Sequence, residues 1–202
     1  MHSRSRLRMR SKEVPVNEQR CFSSNERAAT YATFAYLLTN PPIDSAESPK
    51  FLERTAVPCS PGFVPLSEQC IRDARRSDGC WSFGATDGAH ARHVARCYQR
   101  AGFDHRRLRG HDALVRSLRP DALAAECAFV AFLLMDAKAD AGRYAFANAF
   151  VQTHLGTWIE KASRICHDVD SEDALSRLVS DCAAFVTEDL RDIDEAQPST
   201  SR

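Results

Sequence analysis

His90, His93 and Cys97 stand at i, i+3 and i+7 in AHARHVARC, a spacing that keeps all three on one face of a helix. Imidazole nitrogen and thiolate sulfur are zinc ligands, and Cys80 or Cys70 would complete a tetrahedral set. No C-x-x-C or H-E-x-x-H accompanies them. Phe150, His154 and Trp158 form an i, i+4, i+8 stripe, the spacing of a core face with a satisfied histidine. In RPDALAAECAFVAFLL, Glu126 and, five residues further back, Asp121 precede a run without polar side chains from Ala128 to Met135. Five helical positions separate the two acids by about 140°, so they cannot form one carboxylate pair. Asp121 is expected in a helical first turn, where its charge favours the dipole. Glu126 lacks that explanation and needs a donor from another helix or loop, because burying an unpaired carboxylate is costly.

Other chemistry finds less support. There is no G-x-S-x-G elbow, P-loop or G-x-G-x-x-G, and no single cysteine stands out from the other seven, so the expectation is a protein that is not an enzyme and carries no cofactor. Lys+Arg and Asp+Glu both total 27, which gives no sign of nucleic-acid binding. Arg75-Arg76 and Arg106-Arg107 are diluted by Asp73, Asp78 and Asp104 and lack interleaved aromatics. No apolar run reaches the ~20 residues of a membrane helix, so no stable membrane association is expected. The basic start MHSRSRLRMRSK is not followed by a signal-peptide core. Eight scattered cysteines in a chain of 202 residues read as reduced thiols of a cytoplasmic protein.

The elements that must position these residues are helical. Apolar spacing predicts helices over Asn25–Thr39, Ser45–Arg54, Leu66–Arg75, Ala89–Ala101 with Asp87 as N-cap, Asp112–Leu118, Pro120–Ala139, Gly142–Cys166 and Ser171–Leu190. Proline and glycine forbid regular structure in AVPCSPGFVPLSEQ, although Phe63, Val64 and Leu66 want burial. DGCWSFGATDG reads as a second loop, in which Trp81 and Phe83 either plug the core or mark a contact surface. No alternating strand stands out. The expected fold is all-α: a single globular domain of roughly eight helices around one buried helix, the 120–139 stretch. Residues 1–22 are expected to be a disordered basic arm, 23–192 the helical domain and 193–202 a disordered tail.

Five motifs occur in one order: R-A-x-x-Y from Arg27, P-G-F-V-P-L-S-E from Pro61, C-Y-Q-R-A-G-F from Cys97, R-P-D-x-L-A-x-E-x-x-F-x-A-F-L from Arg119, and H-L-x-x-W from His154. Together they resemble the TorD family of molybdoenzyme maturation chaperones, with its DmsD-type and NarJ-type branches. The resemblance spans most of Ala28 to Phe185. It implies a cytoplasmic, all-helical chaperone that holds the apo catalytic subunit of a molybdopterin-dependent oxidoreductase, often by its twin-arginine signal peptide, before cofactor insertion and export. It also leaves open a monomer or a helix-exchanged dimer. The family's motifs fall on Pro65, Glu68, Asp121, Glu126, His154, Leu155 and Trp158. Ala122 stands where the central motif usually carries a histidine. A twin-arginine leader offers guanidinium groups and then an apolar segment, so its receptor needs carboxylates beside an apolar groove. Glu68, Asp121 and Glu126 are the expected acidic side, and Phe63, Leu66, Trp81 and Phe83 the apolar side. The alternative is a zinc-binding helical enzyme or sensor using His90, His93 and Cys97.

Overall fold

Leu123–Met135 (α6) is apolar on every side, and a helix with no polar face has to be buried on every side. The computed structural model, which describes residues 22–41, 48–58, 60–135 and 140–196, places it at the centre. Around it run α1 (Ser24–Thr39), α2 (Ser48–Ala56), α3 (Glu68–Arg72), α4 (Ala89–Ala101), α5 (Asp112–Val115), α7 (Ala141–Thr153), α8 (Leu155–Val169) and α9 (Ala174–Ala196). The fold is all-α, with nine α-helices among the described residues. α6 packs along α1 and against α7 and α4, while α8 and α9 pair with each other. No described helix is long and apolar enough to cross a membrane.

Local chemistry explains the element ends. Ser23 and Glu26 form a reciprocal capping box at the start of α1, and Asn40 before Pro41 ends it. Ala28, Tyr31, Ala35 and Leu38 are buried as their spacing requires, but Ala32 faces outward. Gly102, with φ of 72°, closes α4 in the left-handed conformation that glycine adopts without steric cost. Asp140 caps α7 by accepting from the Gly142 and Arg143 amides.

Several expectations give way. The anticipated single helix over Gly142–Cys166 is two helices, because His154 (φ −112°, ψ −90°) ends α7 and begins α8. Gly156 follows the break, and a Cβ there would sit 2.5 Å from Leu190 Cδ1 of α9. A hairpin, β1 (Arg75–Ser77) and β2 (Cys80–Ser82), runs from the end of the helix expected over Leu66–Arg75 into the expected second loop, turned by Asp78 (φ 51°) and Gly79 (φ 79°). Asp-Gly between two strands is a strong hairpin signal, and here it overrides the helical spacing before it. The helix expected over Leu66–Arg75 therefore shrinks to α3. α9 continues to Ala196, so residues 193–196 are helix rather than tail. Phe22, expected in the basic arm, packs its ring 5.3 Å from Phe185 and donates its amide to Asp192. Residues 1–21 and 197–202 lie outside the described residues.

One buried ion pair ties the first helix to the last. Arg27 is 2% exposed and Asp189 fully buried, with Arg27 Nε 2.5 Å from Asp189 Oδ1. Arg27 Nη2 and the Tyr31 hydroxyl both donate to Asp189 Oδ2, at 3.0 and 2.7 Å. Removing one partner of such a pair strands the other charge in the core. Asp189→Ala is therefore expected to lower stability by about 3–5 kcal/mol in urea unfolding, far beyond the effect of an exposed aspartate substitution.

Candidate functional site

α3 is too short to be stable alone, and its place is set by what caps it. Glu68 donates its amide to the Asp121 carbonyl at 2.8 Å, and Gln69 donates to Asp121 Oδ2 at 3.1 Å. Asp121 thus sits before α6, not in its first turn, and caps α3 instead. Arg119 stands 3.3 Å from Asp121 Oδ1 and also holds the Thr86 carbonyl and Asp87. Burial pushes the Asp121 carboxyl above its ordinary value, with the Gln69 amide and Arg119 opposing. At the other end of α3, Lys161 donates to the Arg72 and Ala74 carbonyls. The first amides of α4 are met from α3 as well: His90 donates its amide to Gln69 Oε1. A Cβ on Gly88 would lie 1.9 Å from that oxygen, so the glycine lets the two segments touch. Gly88 is the N-cap position, where Asp87 was expected, and Asp87 turns to Arg119.

With α3 fixed, Glu68 enters the core at the α7–α8 break. Its Oε2 lies 2.7 Å from His154 Nδ1, its Oε1 accepts from Arg72 Nε at 2.7 Å, and His90 Nδ1 is 3.6 Å from Oε1. His154 Nε2 faces His93 Nδ1 of α4 at 2.8 Å, and the two rings stack with centroids 4.9 Å apart. Phe150, one turn back on α7, covers His154 with ring centroids 4.6 Å apart. Glu126 comes up from α6 beneath this group. The Trp158 indole donates to its Oε2 at 3.1 Å, which supplies the donor from another helix that Glu126 needed. Among the described residues no donor reaches Glu126 Oε1, and Glu68 raises the Glu126 carboxyl both by its charge and by hydrogen bonding.

Two buried carboxyls this close divide their protonation states. Burial, the nearby Glu68 charge and Asp121 hold the Glu126 carboxyl well above its ordinary value, against the Trp158 bond. Burial also acts upward on Glu68, but the His154 bond and charge, Arg72 and His90 outweigh it and hold that carboxyl low. Of the two carboxyls, Glu126 is therefore the one that favours a proton and Glu68 the one that favours the anion. With Glu68 accepting, His154 Nδ1 carries hydrogen and its Nε2 is directed at His93. Burial, His154 and Arg96 lower the His93 imidazole below its ordinary value.

The expected acidic docking face is not on the surface. Glu68, Asp121 and Glu126 are all fully buried, and each is committed to an internal partner. His154 and Trp158 are buried with them, at 2% and 1% exposure. The expected apolar side divides. Phe63, Pro65 and Leu66 line a pocket of about 320 Å³ with Leu38, Leu118 and Leu123, and Ala122 forms part of its wall. Trp81 and Phe83 do not reach it. Trp81 lines a separate depression with Lys161 and His167, and Phe83 is half-buried against the core. Arg54 fixes the loop beside the apolar pocket, donating to the Gly62 carbonyl, the Cys166 carbonyl and Asp173. Leu123 donates its amide to the Leu66 carbonyl, joining the loop to the start of α6.

The spaced triad is partly reassembled. His93 and Cys97 meet His154, with ligand atoms all within 4.8 Å of one another, while His90 turns to Glu68. Cys80 is exposed on β2, and the Cys70 thiol lies 3.9 Å from the Ala85 carbonyl, so neither completes the set. Arg72 was not singled out by sequence reasoning, although its i+4 position from Glu68 was a usable signal. The His93–His154 contact has no such signal, being 61 residues apart in the chain. No family model, curated protein or solved structure matches the chain.

The protonation of Glu126 can be read from stability. Its native carboxyl holds a proton that the unfolded chain releases near the ordinary value of 4.5. The native state then binds more protons, so this group's stabilisation falls as pH rises above that value toward the native pKa. Glu126→Gln keeps an acceptor for Trp158 and removes the titration. The wild type should lose up to ~1.4 kcal/mol per pH unit in that window relative to the Gln variant. Urea midpoints taken across it that run parallel for the two proteins would contradict a protonated Glu126.

Proposed function

We propose that this chain is a non-catalytic maturation chaperone for a molybdopterin-dependent oxidoreductase, holding the apo catalytic subunit in the cytoplasm through the apolar part of its leader. The observation that carries the reading is the pocket between the 58–67 loop, the end of α1, α5 and the start of α6. It is walled by Leu38, Phe63, Pro65, Leu66, Leu118 and Leu123, and among the described residues no carboxylate lines it. A site of this chemistry takes an apolar segment, and Arg119 in its lining disfavours a guanidinium group. The leader's apolar stretch, rather than its arginine pair, is therefore the part assigned to this pocket. Ala122 suits that role, since its methyl group keeps apolar a wall where the family's usual histidine would add a polar ring. The motif order from Arg27 to Trp158 supports the same reading, as does a loop tied at Gly62 by Arg54.

The test begins with mass spectrometry of the large protein that co-purifies with the untagged chain, and a molybdopterin-dependent subunit is the expected result. A synthetic leader from that subunit should then bind in fluorescence anisotropy. Replacing its apolar residues with serine should weaken it by about tenfold or more, as should Ala122→Glu, which puts a charge in the pocket. Exchanging the two arginines for lysines should have the smaller effect. A leader that binds Ala122→Glu as tightly as wild type would exclude this pocket as its site.

A further inference from the structure

Between α4 and the α7–α8 break the chain assembles a second chemistry, independent of the apolar pocket and of the client reading. His93 and Cys97 are one turn apart on α4, and His154 arrives from the helix break with its Nε2 turned toward them. We propose that His93, Cys97 and His154 form a binding site for a divalent, borderline-soft metal ion of the zinc type, with Glu68 as the residue that orients His154.

Three features of the geometry carry this. The donor set is one thiol and two imidazoles with ligand atoms within 4.8 Å, a composition that selects zinc over magnesium or calcium. Behind it stands a buried carboxylate, Glu68, 2.7 Å from the far nitrogen of His154. Metal-bound histidines very commonly donate their second N–H to such a group, which fixes the tautomer and the ring plane. His154 is held in that arrangement already, by a carboxylate that Arg72 in turn secures. The third feature is an opening. His93, Cys97 and His154 line a pocket of about 430 Å³ with Arg96, Arg100 and Phe146. Three protein ligands beside an open position is the arrangement of reactive or sensing zinc sites rather than closed structural ones.

Between the two histidines little movement is required. Two nitrogens bound to a tetrahedral zinc ion stand about 3.3 Å apart, from bond lengths of about 2.0–2.1 Å. His93 Nδ1 and His154 Nε2 are at 2.8 Å, so the rings must part by roughly half an ångström, and His93 is exposed and free to give way. On binding, the Cys97 S–H gives its proton to solvent and the thiolate sulfur becomes the third ligand. The thiolate and Glu68 together offset the two charges of the ion. Arg96 and Arg100 at the rim favour an anion, such as a carboxylate or hydroxide, in the fourth position.

Cobalt(II), which reports thiolate ligation by a charge-transfer band in the near ultraviolet, is the probe. The full chain, purified without an affinity tag, stripped with chelator and kept reduced, should bind one equivalent and show that band, and zinc should displace it. Cys97→Ser should abolish the band, and His93→Ala should weaken cobalt binding by about tenfold or more. Cys80→Ser should leave both unchanged. His93 is exposed and Cys97 half-buried on α4, and circular dichroism verifies that both variants remain helical. Absence of a one-equivalent complex overturns the site, as does a band that survives Cys97→Ser or vanishes in Cys80→Ser.

Discussion

Glu126, in the first turn of an otherwise apolar buried helix, is the constraint around which this structure is arranged. The first three turns of α6 are buried almost all round, and Glu126 is fully buried, so its carboxyl cannot reach water. It is accommodated by keeping a proton and by the Trp158 indole. That arrangement fixes the state of its neighbour, because Glu68 beside a neutral Glu126 can remain an anion only with cations and donors of its own. Arg72, His154 and His90 supply them. The break between α7 and α8 follows, since His154 leaves helical geometry at the point where its ring meets Glu68 and His93.

Asp121 does for the loop side what Glu126 does for the core. By capping α3, and with the Leu66–Leu123 amide contact beside it, Asp121 locks the proline-rich segment against the start of α6. Arg54 holds the other end of that segment on α8 and α9. The chain thereby presents two separate chemistries. One is an apolar pocket under the loop, with no carboxylate among the described residues that line it, and the other is a histidine, cysteine and carboxylate group between α4, α3 and the helix break. Acids grouped with the pocket by sequence proximity are turned inward, because Glu68 and Asp121 serve the contacts that make the loop rigid.

Much of the helical plan is legible in the chain. The α1 face, the Gly102 stop, the continuous apolar run of α6 and the need of Glu126 for a donor from elsewhere all follow from spacing and residue type. The Asp78-Gly79 hairpin was legible too, but three-residue strands give no alternating pattern to draw attention to it. The His154 break was not, because Gly142–Cys166 has unbroken helical spacing on both sides of it. Nor could the sequence tell which of His90 and His93 would face His154, since both lie on the same side of α4.

The division has one physical cause. Helix formation and burial depend on periodicity along the chain, so α6 at the centre of an all-α fold was determined by residues 123–135 alone. The ionisation of Glu68 and Glu126, the exposure of the three acids, the line of Glu68, His154 and His93, and the residues that line the apolar pocket are matters of distance between segments up to 86 residues apart. Electrostatics acts on that distance and on the water excluded from it, and only the tertiary structure decides either.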